Sequence, residues 1–407
     1  MTSKTDNMLH KGSKFPHEIW TIFAGSLIFT IGGAMVWPYL NIYIRNKLGI
    51  PLHIATLLIS LRAVVGITFS YFAGKMADRF GRRIMVLISV GGGACYYFLL
   101  SKANAVWQFA ILMGFWGALD LFYPVGTNAM IADLLPPEER MDAFAWLKVV
   151  YNVGYAIGPI VGGILASKSY SLIFYCGTVG YLLSFIYLFF AIHETLGISK
   201  YSIDLSEKKT TFKEVFNDKI FVKSILMSTL IYMGTSTIFN LLSLYARENY
   251  GIPENRISVV FSVNAVLCVV LQFPELHFSR GRNPLHMLAL SGMLYMIGIG
   301  CYALFPSVLW YCISMAIMTA GEVILTPTLS GLTARLAPPD ARGRYMSFLS
   351  IANPVGMGIG PAVFSFLYDH TIPQSIFMAG SFCSGMAMLG YLSLYKKYKG
   401  SERLHNF

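Results

Sequence analysis

The sequence predicts an all-α membrane protein with twelve transmembrane helices in two pseudo-symmetric bundles of six. Three observations lead to this fold class. Of the 407 residues, 55% are hydrophobic and only 13% are charged, whereas about a quarter of a soluble domain is charged. The apolar residues form runs of about 20, the length of a spanning helix. Stretches of the first half also recur in the second half at a constant spacing.

Twelve apolar runs account for most of the chain. They are longer than the ~10-residue strands of membrane barrels and do not alternate strictly, so they are predicted to be helices, which satisfy their own backbone hydrogen bonds in lipid. Their predicted limits are 19–44, 52–73, 84–102, 106–132, 143–166, 171–193, 220–246, 256–276, 285–304, 307–334, 345–367 and 375–395.

The distribution of charge predicts which side of the membrane each loop faces. With the amino terminus inside, 23 of the 31 Lys and Arg residues lie at inner tails, loops and span ends, and 6 lie on the outer side. Cytoplasmic loops carry such an excess of basic residues. We therefore expect both termini in the cytoplasm of a plasma-membrane protein. The net charge of +11 then faces lipid head groups, not a nucleic acid.

The longest polar connection divides the chain into two halves. We predict a cytoplasmic tail at 1–18, a first six-helix bundle at 19–194, a linker at 195–219, a second bundle at 220–395 and a second tail at 396–407.

Nothing in the sequence points to an enzyme or a cofactor. The six cysteines fall within predicted spans and include no CxxC pair, so we expect neither a metal site nor a disulfide. A nucleophile–base signature and a phosphate-binding loop are also missing from the sequence.

An internal repeat relates the two halves. "ADLLPPEER" (132–140) resembles "ARLAPPDAR" (334–342), and Gly154-x-x-x-Gly158-Pro159 resembles the stretch that starts at Gly356. Both pairs are 202 residues apart. Parallel repeats of six spans, related by an axis along the membrane normal, are a known transporter architecture.

Two isolated carboxylates lie at equivalent places in this repeat. Asp120 is the only acid in "WGALDLFYP" (116–124), and the same offset leads to Glu322 in "TAGEVILTP" (319–327). Each lies about 20 Å along its helix from the inner end, near the bilayer midplane. Because a buried carboxylate can take up a proton near neutral pH and release it when hydrated or paired, we predict that Asp120 and Glu322 couple transport to protons.

Two cations, Arg62 and Lys148, also fall within predicted spans. Arg62 lies at the depth of Asp120, so a structural ion pair is an alternative to a proton-carrying Asp120; the two roles are compatible if protonation breaks the pair. Lys148 lies closer to the inner side, where its long side chain can reach out of the membrane. Both are candidates for proton coupling.

"GKMADRFGRR" (74–83) resembles the signature loop of the major facilitator superfamily, G-x-L-A-D-R-x-G-R-[KR], with Met76 in place of the usual Leu. "GYAIGPIVGG" (154–163) resembles the fifth-span motif of the drug:proton antiporters of that superfamily. "GEVILTP" (321–327) resembles the tenth span of certain bacterial multidrug antiporters. The resemblance implies the twelve-span major facilitator fold and an exporter. The antiporter-motif residues are Gly154, Gly158, Pro159, Gly162 and Gly163.

The resemblance implies that the signature loop is a cytoplasmic latch that loosens as the halves rock; the alternative is that its charges only set topology. Its arginines can pair with acids of the next inner loop, and we expect Asp78 to cap the third span. The implied latch residues are Gly74, Asp78, Arg79, Gly81, Arg82, Arg83 and Asp133.

The fourth span departs from the family pattern. The superfamily often carries an Arg linked to proton coupling there, in R-x-x-x-G, and Met113 occupies that position. Arg62 or Lys148 are the candidates to supply the missing cation.

Side chains that share a helix face with the two acids, or with Lys148, are candidates to line a substrate cavity. Aromatic rings beside a carboxylate suit lipophilic cations, although ordinary packing also explains aromatics in spans. The candidates are Trp116, Tyr123, Tyr151, Asn152, Tyr155, Met318, Thr319 and Thr326.

The sequence thus predicts a secondary active transporter, and favours a monomeric proton antiporter that exports amphipathic or cationic compounds by alternating access. Its expected partners are the lipid bilayer, protons and a small-molecule substrate. A proton-coupled or facilitative carrier of sugars, organic anions or lipids is the alternative. A non-transporting receptor is a distant third.

Overall fold

The computed structural model describes residues 15–197, 212–279, 281–338 and 341–398. Within them, twelve helices are long and apolar enough to cross a membrane, which confirms the predicted fold class. The twelve are α1 (His17–Leu48), α2 (Leu52–Phe80), α3 (Arg82–Lys102), α4 (Val106–Leu134), α5 (Pro137–Ala166), α6 (Tyr170–Ala191), α7 (Lys219–Tyr250), α8 (Glu254–Ser279), α9 (Pro284–Cys301), α10 (Val308–Leu336), α11 (Arg342–His370) and α12 (Ser375–Tyr398).

Several helices extend beyond the apolar runs at their inner ends. The second helix continues to Phe80, and the fifth begins at Pro137, six residues before its predicted limit. Proline suits the first position of a helix, and the acids that follow it interact favourably with the helix dipole. Between the halves, a short helix occupies Phe212–Asn217; the predicted linker is otherwise only partly covered, since residues 198–211 lie outside the described ranges.

The two halves have the same internal packing. In the first, α1 packs on α5 and α6, and α3 packs on α4 and α6. In the second, α7 packs on α11 and α12, and α9 packs on α10 and α12. Each helix pair in one half therefore has its counterpart six helices later.

The 202-residue offset holds for individual contacts. A Cβ atom added to Gly154 would lie 2.7 Å from Thr30, and one added to Gly356 would lie 2.6 Å from Tyr232. Both the glycines and their partners are 202 residues apart. The glycines allow α1 to approach α5, and α7 to approach α11, more closely than any larger residue would.

A third pair of matching stretches lies at the ends of α1 and α7. "YIRNKLGIP" (43–51) and "YARENYGIP" (245–253) are again 202 residues apart. Gly49 and Gly251 end the two helices with φ angles of 64° and 63°, the left-handed conformation that favours glycine at a helix end.

Three spans are irregular near their centres. α1 tightens into a 3-10 turn at Trp37–Tyr39, and α7 widens into a π turn at Thr237–Leu241, the equivalent place. α4 is interrupted at Leu121, directly after Asp120. Pro124 has no N–H to bond the carbonyl of residue 120, so the backbone is weakest where the acid lies.

The two halves contact each other where α2 packs on α11 and where α5 packs on α8. Hydrogen bonds join the halves on the side that the charge distribution predicts to be outer. The bonds include Asn41–Asn240, Arg45–Glu248, His53–Asp369, Thr56–Ser365, Ser60–Gly358, Ala156–Ser262 and Tyr170–Glu254.

Candidate functional site

Asp120 forms an ion pair with Arg62 in the middle of the first half. The Asp120 side chain is 34% exposed and that of Arg62 is 20% exposed, so the pair borders open space. The Arg62 guanidinium carbon also lies 4.5 Å from the centre of the Trp37 ring, within the range of a cation–π interaction. The structure therefore realises the ion pair that the sequence left as one of two roles for Asp120.

The close approach of α2 and α4 makes this pair possible. A Cβ atom added to Gly117 would lie 2.4 Å from the Arg62 carbonyl oxygen. Because position 117 has no side chain, the α2 backbone approaches α4 one turn before Asp120, and the long Arg62 side chain reaches the carboxylate.

Aromatic side chains pack behind the pair. Trp116 stacks on Tyr96 with ring centres 5.3 Å apart, and Tyr123 stacks on Phe29 at 4.0 Å. Trp116 is 2% exposed and Tyr123 is fully buried. These two cavity candidates instead pack inside the first half, because their rings fill the space between its helices.

Glu322 lies at the equivalent place in the second half and has a different partner. Its Oε2 accepts a hydrogen bond of 2.8 Å from the Asn264 amide nitrogen. The same nitrogen lies 2.9 Å from the Thr319 hydroxyl oxygen. Among the residues that the structure describes, Glu322 forms no ion pair with Lys or Arg, although the charge of Lys148 on α5 acts on its carboxylate from the other half.

The remaining cavity candidates divide by exposure. Lys148 and Thr326 are exposed, Tyr155 is 55% exposed, and Tyr151 and Asn152 are partly exposed. Since they belong to both halves and lie near the acids, they border the space between the halves.

Met318 and Thr319 are fully buried, so the prediction that they line the cavity does not hold in this conformation. Met318 packs on Gly298 of α9, where the absence of a side chain brings the two helices together. Thr319 donates its hydroxyl proton to the Met315 carbonyl at 2.7 Å. Both side chains point into the second half and away from the first half.

The signature loop contains an ion-pair network at the inner ends of the first-half helices. Arg82 Nε lies 3.1 Å from Asp133, and Arg82 also pairs with Asp78 at 3.0 Å. Thr195 donates a further hydrogen bond to Asp133. Arg82, not the other arginines, therefore joins α3 to α4.

The prediction that Asp78 caps the third span is wrong. Asp78 lies in the last turn of α2, which continues to Phe80, and Glu194 occupies the capping place. The Glu194 carboxylate accepts hydrogen bonds from the backbone N–H groups of Arg82 and Arg83, at 2.9 and 3.1 Å. Burial by itself raises the pKa of Glu194. The backbone N–H groups that bond its carboxylate, including these two, together lower the pKa by more than burial raises it, so the pKa lies below the ordinary value.

Of the other latch residues, Gly74 and Arg79 are exposed, Arg83 is partly exposed and Gly81 is buried. Arg83 donates to the Phe189 carbonyl at 2.6 Å, and the Arg79 guanidinium lies 5.5 Å from the Phe80 ring centre. Gly74 has open space where a Cβ would be, whereas Gly81 has a φ of 100°. Only Gly81 therefore has a conformational need for glycine.

The antiporter-motif glycines form the face of α5 that contacts α1 and α8. Gly158 and Gly162 pack on Ala34 and Met35 of α1; a Cβ on Gly162 would lie 2.2 Å from the Met35 carbonyl oxygen. Gly163 instead packs against Glu254 of the second half, so the motif contributes to the contacts that join the halves on the predicted outer side. The Pro159 carbonyl accepts a hydrogen bond from Tyr39.

Sequence reasoning missed Asn264 and Glu194. A signal for Asn264 was present, because the 202-residue offset carries Arg62 onto Asn264. Glu194 has no such signal: it follows the sixth span, and only folding brings it to the start of α3.

The sequence profile of the Major Facilitator Superfamily matches residues 22–298 and 225–406 of the chain. Among curated proteins, an uncharacterised transporter of this type, YqjV of Bacillus subtilis, is 25% identical over 93% of both chains. The multidrug resistance protein MdtG of Proteus mirabilis is 25% identical, covering 89% of this chain and 91% of its own. The quinolone resistance protein NorA of Staphylococcus aureus is 23% identical, with coverages of 89% and 92%.

Solved structures share the fold at lower identity. A peptide transporter POT in complex with sulfate superposes with a TM-score of 0.80 at 16% identity and covers 96% of each chain. The nucleoside transporter NupG has a TM-score of 0.80 at 11% identity, covering 93% of this chain and all of its own. At such identities the likeness concerns the fold alone.

Proposed function

The chain belongs to the major facilitator superfamily of membrane transporters, and from that premise we propose that it exports amphipathic or cationic compounds in exchange for protons. The observation that carries this proposal is Glu322: a mid-span carboxylate, held by an amide and not by a cation, at the edge of the space between the halves. Such a group can bind either a proton or a cationic solute, but not both at once.

This competition is sufficient for antiport. Ionised Glu322 attracts a cationic solute that enters from the inner side. After the halves rock and the outer contacts separate, a proton from outside neutralises the carboxylate and releases the cation. The protonated carrier returns and loses its proton inside. The two acids need not play the same part: Asp120 holds Arg62 in place and gives this ion pair a structural role in the cycle.

The side chains around Glu322 support an amphipathic cargo. Tyr155 and Tyr151 offer aromatic faces on α5, which attract cations and cover apolar surface. The Asn152 amide nitrogen is buried and has no hydrogen-bond partner among the described residues, so a rotation of its side chain would give a polar group of the solute a donor. Relatives named for multidrug and quinolone resistance favour the same cargo class.

A carrier of organic anions, sugars or lipids is the second candidate. The observation that favours it is Lys148, which is exposed at the border of the inter-half space and forms no ion pair with a described residue. A cation in that position attracts anions as readily as Glu322 attracts cations.

The further features of the proposed cycle follow from the same premise. We propose that residues 19–194 and 220–395 move as two units of a monomer, joined by the linker 195–219. Both termini lie in the cytoplasm, the bilayer is the plasma membrane, and the Arg82–Asp133 network is the latch that loosens between the two orientations.

Reconstituted protein tests the proposal. Proteoliposomes receive an imposed pH gradient, and uptake is followed for tetraphenylphosphonium as cation, benzoate as anion and glucose as neutral solute. We expect gradient-driven exchange of the cation, lost in Glu322→Gln and retained in the matched control Glu138→Gln, which changes an exposed acid of α5. Exchange of benzoate instead would establish the second candidate. Cation exchange that survives Glu322→Gln would contradict the assigned role.

A further inference from the structure

Arg62 and Asn264 occupy equivalent positions of the repeat, and each binds the mid-span acid of its own half. The two acids, Asp120 and Glu322, have the same offset of 202. We propose that Asn264 is the positioning residue that leaves Glu322 able to exchange protons and cations, because it replaces the arginine that neutralises the equivalent acid. This inference rests on the proposed proton antiport.

The orientation of the Asn264 amide follows from its neighbours. Thr319 commits its hydroxyl proton to the Met315 carbonyl, so towards Asn264 its oxygen can only accept. The Asn264 group that faces Thr319 is therefore the NH2 group. Its second proton points to Glu322 Oε2. A relay of three hydrogen bonds thus starts at the α10 backbone and ends on one oxygen of the acid.

An amide has no charge, whereas a guanidinium is positive. The Asn264 amide therefore orients the Glu322 carboxylate without compensating the negative charge of that carboxylate. Arg62, which keeps its charge at any physiological pH, cancels that of Asp120 and adds a cation–π contact with Trp37. With Oε2 occupied by Asn264, the remaining oxygen of Glu322 is the one on which protons and cations compete.

The other groups that face Glu322 do not replace Asn264. Cys268 lies one turn along α8 from Asn264, and the charge of Lys148 acts on Glu322 from α5. Tyr232 of α7 and Tyr295 of α9 are close enough for the charge of Glu322 to act on them. Of these groups, only Lys148 is a cation, and it is exposed and unpaired with any described acid. Asn264 is 8% exposed and directly bonded.

Protonation of Glu322 can be measured without any cargo. Infrared difference titration follows the protonated carboxyl band, which Glu322→Gln assigns. In Asn264→Ala the ionised form loses a hydrogen bond, so we expect the protonation midpoint to move to higher pH by about one unit. Thr319→Val should move the protonation midpoint in the same direction by a smaller amount.

A matched control separates positioning from packing. Ser291 donates a buried hydrogen bond to the Gly321 carbonyl on α10, next to Glu322 but not to its side chain. Ser291→Ala should weaken the fold to a similar degree and leave the midpoint unchanged. A midpoint that moves equally in Ser291→Ala, or in none of the Asn264 variants, would overturn the inference.

Exchanging the two partners gives the strongest test. Asn264→Arg should keep Glu322 ionised and abolish exchange of tetraphenylphosphonium. In the double variant Arg62→Asn/Asn264→Arg, the protonated band should return, now removed by Asp120→Asn and not by Glu322→Gln. A band that stays on Glu322 in the double variant would refute the assignment.

These readouts separate the two proposals. If wild-type protein does not exchange cations for protons but the band responds as described, the proposed function fails and the role of Asn264 stands. If exchange depends on Glu322 while Asn264 variants keep both the wild-type midpoint and the wild-type pH dependence of uptake, only the inference about Asn264 fails.

Discussion

Gly81 and Glu194 meet at the inner end of α3: a Cβ atom on Gly81 would lie 2.3 Å from a carboxylate oxygen of Glu194. The glycine leaves room for the acid, and the acid accepts the first two N–H groups of the helix. The signature loop and the end of α6 are thereby joined through a helix cap. This cap, and not Asp78, sets where α3 begins.

Glu194→Gln should destabilise the inner end of the first half by about 1 kcal/mol, since an amide has a single acceptor oxygen and no charge for the helix dipole. The change is measured as a lower Tm in detergent. Glu139→Gln, in the first turn of α5, is the control and should have a smaller effect.

Stability should also depend on pH through Glu194. Its pKa is lower in the folded protein than in the unfolded chain, so its contribution is complete above the ordinary value of 4.5. That contribution is lost as pH falls through the lowered folded value. The wild-type Tm should therefore fall more steeply than that of Glu194→Gln as the buffer is taken below pH 4.5. Parallel curves would show that the cap contributes nothing.

Breaking the Arg62–Asp120 pair should reduce stability. Asp120→Asn leaves the guanidinium without its counter-charge and should cost about 1–3 kcal/mol, less than in a fully buried pair because both side chains are partly exposed. Arg62→Gln/Asp120→Asn should recover part of that loss. A double-mutant cycle on Tm tests this, and additive effects would mean that the pair is not coupled.

The packing of α5 on α1 should not tolerate a methyl group at Gly162. Its Cβ would lie 2.2 Å from the Met35 carbonyl oxygen, so Gly162→Ala should force the helices apart and cost about 1–3 kcal/mol. Gly114→Ala is the matched control within a span, because its Cβ would meet only Val65 at 3.9 Å. Size-exclusion chromatography and Tm should distinguish the two variants; equal behaviour would contradict the close approach.

The outer contacts should set the balance between the two orientations of the halves. Glu248→Gln with Asp369→Asn removes the charge from two pairs, Arg45–Glu248 and His53–Asp369, each worth about 0.2–1 kcal/mol. A loss of about 1 kcal/mol shifts the population roughly fivefold towards the outer-open form. Spin labels at Asn104 and Phe305, on outer loops of opposite halves, would report a longer distance. Lys102→Gln, which breaks a contact within one half, should leave the distance unchanged.

The positions of the spans and the repeat could be predicted from the sequence because they depend on local composition. Transfer of an apolar run of about 20 residues into lipid is favourable whatever surrounds it, and the proline and glycine anchors of both halves preserve one offset. The predicted helix ends were less accurate. α2 continues to Phe80 through a polar last turn, which an apolar run cannot reveal.

The cavity candidates were only partly predictable. Helix periodicity places Trp116, Tyr123 and Asp120 on one side of α4, but periodicity does not say which neighbour fills the space in front of them. Tyr96 and Phe29 do so, and the rings are buried while the carboxylate is not.

By itself the sequence determined the twelve spans, the twofold repeat and the depth of Asp120 and Glu322, since each follows from residue type and spacing along one helix. Only the tertiary structure decided which group each acid binds. That choice depends on how α2 is rotated and packed against α4, and α8 against α10. Hydrophobicity cannot report such a rotation, and a glycine at position 117 or a threonine at position 319 fixes it through contacts of a few ångströms.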